Sequence, residues 1–239
     1  MTMNQNPLPT QLQTVRARVA AACHATGRAA SEVTLLAVSK TVSPEVVTQA
    51  FNAGQCAFGE NYIQEAVGKI IQLRHLPIEW HCIGPIQSNK TRLVAEHFDW
   101  VQTLDRLKIA QRLSEQRPAG RPPLQVCIQV NVDGGASKSG VSPGEALALA
   151  QSVAALPNLR LRGLMSIPEP APDFEACCTV FTRVRAVFDA LNAAGLALDT
   201  LSMGMSADME AAIQSGSTMV RVGTAIFGGR PPIRPGIAP

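Results

Sequence analysis

Eight short apolar runs, near 33–38, 55–58, 79–83, 99–103, 124–131, 160–166, 198–203 and 218–223, alternate with amphipathic stretches along nearly the whole chain. Each run is too short for a helix and reads as a buried strand, whereas the stretches between them repeat their apolar residues at helical spacing. The helical patterns occupy 8–25, 44–53, 62–73, 89–97, 105–116, 143–155, 173–194 and 207–215, with a short one after Thr224. Strands joined through helices run parallel, and eight such units in 239 residues match the size of a closed (β/α)8 barrel. A doubly wound open sheet is the runner-up. It usually carries a GxGxxG turn after its first strand, and here that position reads Ser39-Lys40-Thr41. The expected fold is therefore α/β: a single TIM barrel with an extra N-terminal helix over residues 1–228, followed by a flexible Pro-rich tail, 229–239.

Local signals agree with this layout. Ser43-Pro44-Glu45 supplies an N-cap, a proline at the first helical position and an acid in the first turn. Ser142-Pro143-Gly144-Glu145 repeats it as a capping box. Ser206-Ala207-Asp208 opens a further helix, which Gly216 closes.

Composition narrows the functional classes. Apolar residues make up 46% of the chain, enough for one large core. The polar N-terminus lacks the layout of a secretory signal, and no apolar stretch approaches the ~18 residues of a membrane span, so the expected location is the cytoplasm. The six cysteines show no CxxC spacing and no metal pattern with the four histidines, and they read mostly as small buried thiols. A net charge of +3 with scattered arginines and 4% aromatic residues argues against nucleic acid as a partner.

In a barrel of this kind chemistry gathers at the C-terminal ends of the strands. There the chain places Ser39 and Lys40, then Gly59-Glu60-Asn61, Gly84 to Asn89, Asn131, Ser166, Ser202 to Ser206, and Gly223-Thr224. Capping alone could explain Ser88, Asn89 and Ser206. Lys40 is either a solvated cation or an amine positioned to attack an aldehyde. Along the fifth strand Gln125, Cys127, Gln129 and Asn131 share the inward parity and give a semi-polar face, which fits either a wet or ligand-filled upper layer or a structural network of buried amides. In Met219-Val220-Arg221-Val222-Gly223 the valines face the helices, so Arg221 points into the barrel and needs an acceptor: an acid such as Glu60, or a bound ligand. Gly223-Thr224 bares backbone N–H groups where barrels commonly bind phosphate. A Schiff-base lysine, an inward arginine and a phosphate cradle on one rim together suggest pyridoxal 5'-phosphate (PLP).

The blocks LLAVSKT, FGENYIQEA, WHCIGPIQSNK, GLMSIPEP and LSMGMSADMEAAIQSGSTMVRVGTAIFG resemble those of the pyridoxal-phosphate homeostasis family, also called YggS or proline synthetase co-transcribed, from about Val33 to Gly228. The resemblance implies a barrel like the N-terminal domain of alanine racemase, with PLP held as a Schiff base on Lys40. It implies that Arg221 faces the pyridine nitrogen, that Ser202, Gly223 and Thr224 hold the phosphate, and that Asn61 and Met203 line the pocket. Ser206 joins the cofactor-binding set, and Lys138, in a glycine-rich loop, resembles a family lysine at the cofactor entrance. Its competing reading is a solvated lysine on a mobile loop. Two departures stand out: Gly135-Ala136-Ser137 replaces the acidic residue common in that loop, and the tail lacks the terminal lysines of some relatives.

Three functions follow from these residues. The first is a PLP binder that stores, buffers or delivers the cofactor to PLP-dependent apo-enzymes with little or no turnover, as an expected monomer. Arg221 cannot give a proton to the ring nitrogen, which weakens the ring as an electron sink. Racemases with such an arginine work through bases on both faces, one a tyrosine from a second domain. Here the barrel accounts for the chain, and the one tyrosine, Tyr62, reads as packing at a helix start. The second is an amino-acid racemase with Lys40 and a partner such as His81, which otherwise reads as a hydrogen-bonded core histidine. The third is an aldolase-like barrel using Lys40 on a phosphorylated metabolite.

Overall fold

The computed structural model describes residues 7–134 and 139–228. Strands β1 (Thr34–Val38), β2 (Ala57–Glu60), β3 (Glu79–Cys82), β4 (Trp100–Leu104), β5 (Leu124–Gln129), β6 (Leu159–Met165), β7 (Thr200–Ser202) and β8 (Met219–Val222) close into a parallel barrel in chain order, with β8 paired to β1. Around it lie α2 (Pro44–Asn52), α3 (Ile63–Gln72), α4 (Thr91–His97), α5 (Leu107–Gln116), α6 (Pro143–Ala154), α7 (Phe174–Ala193), α8 (Met209–Gln214) and the short α9 (Thr224–Phe227). The extra helix, α1 (Leu8–Ala25), precedes β1. Its stripe Leu12, Val15, Val19 and Cys23 is buried, and Arg18 ties it to Glu210 on α8 at 2.8 Å. Among the described residues no helix is long and apolar enough to cross a membrane.

Strand parity divides the core into two compartments. Residues of one parity, including Phe58, Trp80, Val101, Val126, Val220 and Val222, pack beneath the helices. Ile128, Leu164, Leu201 and Met203 do the same under α7 and α8. The other parity fills the barrel itself with Leu36, Ala57, Ile83 and Met219 in one group and Trp100, Cys127 and Met165 in another. Such a barrel is a packed core, so its free chemistry lies at the strand ends.

The helix starts follow their sequence signals. Glu145 accepts hydrogen bonds from both the backbone N–H and the hydroxyl of Ser142, closing the capping box. Two differences have local causes. β2 runs on through Gly59 and Glu60, because these two residues pair with His81 and Cys82 on β3; Gly59 also lies against Leu36 and Ile83, where a larger side chain would be crowded. α8 starts at Met209 rather than 207, because the Asp208 carboxylate accepts the Met205 N–H and ties 205–208 into a turn. Cys23, Cys82 and Cys127 are buried, but Cys56 is exposed and Cys177 and Cys178 are half-buried on α7. The tail, 229–239, and Lys138 lie outside the described residues.

Candidate functional site

Lys40 stands two residues beyond β1, on the parity of Leu36 and Val38, which face into the barrel. It is half-buried and lines a cavity of about 650 Å³ with Val38, Thr41, Val46, Gly223, Thr224 and Phe227. The backbone on both sides of it is held. Thr41 takes a φ of 65°, unfavourable for a β-branched residue, and its N–H donates to Glu65 Oε1 at 3.0 Å. On the other side the Ser39 carbonyl accepts from Lys69 Nζ at 2.9 Å, and the Ser39 hydroxyl donates to Glu60 Oε1 at 2.6 Å.

Lys69 and Glu60 form an ion pair at 2.6 Å between α3 and β2, with side-chain exposures of 3% and 0%. Burial pushes the Glu60 carboxyl up, and the adjacent Lys69 pulls it back. Glu60, the acid nearest in sequence terms to serving as a partner for Arg221, therefore faces the helix layer and not the barrel axis. Its parity is that of Phe58, opposite to Gly59.

Arg221 does point into the barrel and is 4% exposed. It donates from Nη1 to Ser202 Oγ at 2.8 Å and from Nη2 to the Ser166 carbonyl at 2.9 Å. Both acceptors are neutral, so burial dominates and draws its pKa down to about 10, with Asp208 opposing. Ser202 in turn donates to Gln102 Oε1 at 2.7 Å. Gln102 Nε2 lies 3.0 Å from His81 Nδ1 and 3.0 Å from Met219 Sδ, and His81 Nε2 lies 2.8 Å from Glu79 Oε1. His81 is fully buried and stacked on Trp100 at 5.1 Å, which agrees with a hydrogen-bonded core histidine.

The remaining residues divide. Gly223 and Thr224 line the cavity with Lys40, and a side chain at 223 would press on the Val38 carbonyl, so glycine lets β8 end close against β1. Asn61 sits where β2 and β3 end, and its Oδ1 is buried with no hydrogen-bond partner among the described residues. Met203 is buried in the layer under α7 and α8, so its side chain is not a wall of the cavity. Ser206 lies in the turn before α8, its carbonyl taken by Arg18. Tyr62 is exposed at the start of α3 rather than packed, because Ile63 takes the buried place.

A family model, Alanine racemase, N-terminal domain, matches residues 11–231. The chain is 61% identical over 216 residues to the pyridoxal phosphate homeostasis protein of Pseudomonas aeruginosa, an alignment spanning 90% of this chain and 93% of that one. It belongs to the pyridoxal phosphate homeostasis protein family. The family member from Escherichia coli K12 is 53% identical over 228 residues, covering 94% of this chain and 97% of its own. PipY of Synechococcus elongatus, solved with PLP bound, superposes with a TM-score of 0.81 at 34% identity over 93% of this chain and 100% of PipY. Alanine racemase from Corynebacterium glutamicum shares the barrel alone, with a TM-score of 0.64 and 21% identity over 93% of this chain and 62% of the enzyme.

Within this homeostasis-family barrel, two clusters had no distinct sequence signature. One is Lys69, Glu60 and Glu65 beneath the Lys40 loop. The other is Gln102 with His81 below Arg221. The first lies within one β-α unit, β2–α3, and meets the end of β1 through Ser39 and Thr41; the second draws residues from β3, β4, β7 and β8 together inside the closed barrel.

Proposed function

We propose that this protein binds PLP at the C-terminal rim of its barrel, holds it covalently through Lys40, and serves PLP homeostasis by storing, buffering or delivering the cofactor with little or no turnover. The observation that carries this reading is the pairing of an inward lysine on a cavity with a buried arginine whose two acceptors are neutral. The fit to PLP is supported residue by residue. An amine at Lys40 suits the aldehyde, the remaining donors of Arg221 suit an aromatic nitrogen, and the N–H groups of Gly223 and Thr224 suit a phosphate. The unpaired Asn61 Oδ1 offers a further acceptor at the rim. When bound, PLP supplies an electrophilic aldehyde and a ring that can take up electrons from an attached carbon. Arg221 only donates, so it leaves the ring nitrogen without the proton that strengthens that sink. His81 lies within the barrel packing rather than on the cavity, which disfavours it as a second base. Delivery to PLP-dependent apo-enzymes, a monomeric state and a cytoplasmic location belong to the same reading.

Turnover decides between carrier and racemase. PLP-loaded protein incubated with a panel of L-amino acids in deuterated water is expected to show no Cα exchange at the ~1 to 1000 per second usual for enzymes, while PLP passes to an apo-enzyme. Exchange at such rates would make the protein a racemase-type enzyme.

A further inference from the structure

The buried side chains along the barrel axis form one connected series from the rim to the opposite end, and its direction is forced by its two ends. Arg221 has donors and no acceptor, so Ser202 Oγ must accept from it. The Ser202 proton then goes to Gln102 Oε1, which turns the amide nitrogen of Gln102 toward His81 Nδ1. With Nδ1 occupied as an acceptor, the imidazole proton resides on Nε2 and points at the Glu79 carboxylate. Every donor in the series is therefore aimed from Arg221 toward Glu79. A carboxylate has no proton to give and a guanidinium no lone pair to receive one, so the order cannot reverse while His81 is neutral. Burial favours that neutral state, since it lowers the His81 pKa against the pull of Glu79 and Asp99.

We propose that Ser202, Gln102 and His81 are positioning residues for Arg221, and that with Glu79 they form a one-way hydrogen-bond chain that fixes the guanidinium beneath the cofactor site. The proposal rests on the reading that PLP occupies this rim. Its physical content is that Glu79, whose side chain is 48% exposed at the far end of β3, strengthens Ser202 as an acceptor by polarising the groups between them. Arg221 thereby receives part of the effect of a counter-charge without a carboxylate beside the cofactor. Held at Nη1 by Ser202 and at Nη2 by the Ser166 carbonyl, the guanidinium has a fixed plane.

The test uses the full-length protein and two substitutions at the middle of the chain. Gln102→Met has nearly the same shape and removes both links. Gln102→Glu keeps an acceptor for Ser202 and faces His81 Nδ1 with a carboxylate, which draws a second proton onto the ring. Nitrogen-15 NMR of the cofactor-free wild type is expected to show neutral His81 protonated on Nε2, and Gln102→Glu is expected to show the imidazolium. Gln102→Met is expected to raise the Kd for PLP about tenfold, the effect of roughly one hydrogen bond, and to shift the absorption maximum of the bound cofactor, with Gln102→Glu restoring most of the affinity. A wild-type proton on Nδ1 would overturn the proposal. So would a folded Gln102→Met with unchanged PLP affinity and spectrum. Should that variant fail to fold, the tautomer and the Gln102→Glu shift decide. Wild-type protein that takes up no PLP would instead defeat the reading of the rim, while the NMR result still judges the chain.

Discussion

A guanidinium buried against neutral oxygens carries a desolvation cost that its hydrogen bonds offset only in part. Arg221 is held in that state, and burial lowers its pKa to about 10. Arg221→Met, of similar reach and without the charge, is expected to raise the melting temperature of the cofactor-free protein while weakening PLP retention. Each ~1 kcal/mol recovered corresponds to about 2–4 °C in a chain of this size. Calorimetry of the apo variant and equilibrium dialysis against PLP measure the two effects. A lower melting temperature with unchanged affinity would assign the arginine to the fold. Lys40 and Arg221 are legible in the sequence because alternation along a strand decides which face a side chain takes, and β1 and β8 are regular. The acceptor of Arg221 is not legible. Parity turns Glu60 to the helices once β2 continues through it, but which of the inward residues meets Arg221 is decided by the stagger of the strands, which brings Ser202 to it.

At the scale of elements, the Lys40 loop depends on the crossover that follows the next strand. Lys69 on α3 reaches back to the Ser39 carbonyl and to Glu60 on β2, while Glu65, one turn earlier on α3, takes the N–H of the strained Thr41. One helix thus holds both flanks of the lysine. Lys69→Met leaves Glu60 buried and unpaired and is expected to cost ~3–5 kcal/mol of stability. The double variant Lys69→Met/Glu60→Gln should recover much of that loss, yet still bind PLP more weakly, because the loop has lost its anchor. Denaturant titration reads the first effect and dialysis the second; single and double variants of equal stability would remove the ion pair from the account. The boundaries of these elements follow closely from capping residues and periodicity, as at Ser142 and Glu145. The exceptions, the extension of β2 and the late start of α8, arise from pairing of Gly59 and Glu60 with β3 and a side-chain turn at Asp208 that periodicity does not encode.

For the whole molecule, closure of the barrel sets β8 beside β1, and that single adjacency brings Lys40, Gly223 and Thr224 to one cavity with Arg221 below it. The α1 helix braces the same side by packing on α8 and α9, the helices before and after β8. Eight β-α units are enough to predict this closure from sequence, whereas the Gln102–His81 series down the axis becomes visible only in three dimensions. On the function proposed above, the site retains a reactive aldehyde reversibly instead of turning it over. In the proposed function Lys40 is the covalent tether. Borohydride reduction of the PLP-loaded protein, followed by proteolysis and mass spectrometry, is predicted to leave one phosphopyridoxyl group on the peptide that contains Lys40 and none in Lys40→Ala. A label fixed on a different lysine, or a wild-type protein that binds PLP and carries no label, would contradict the account.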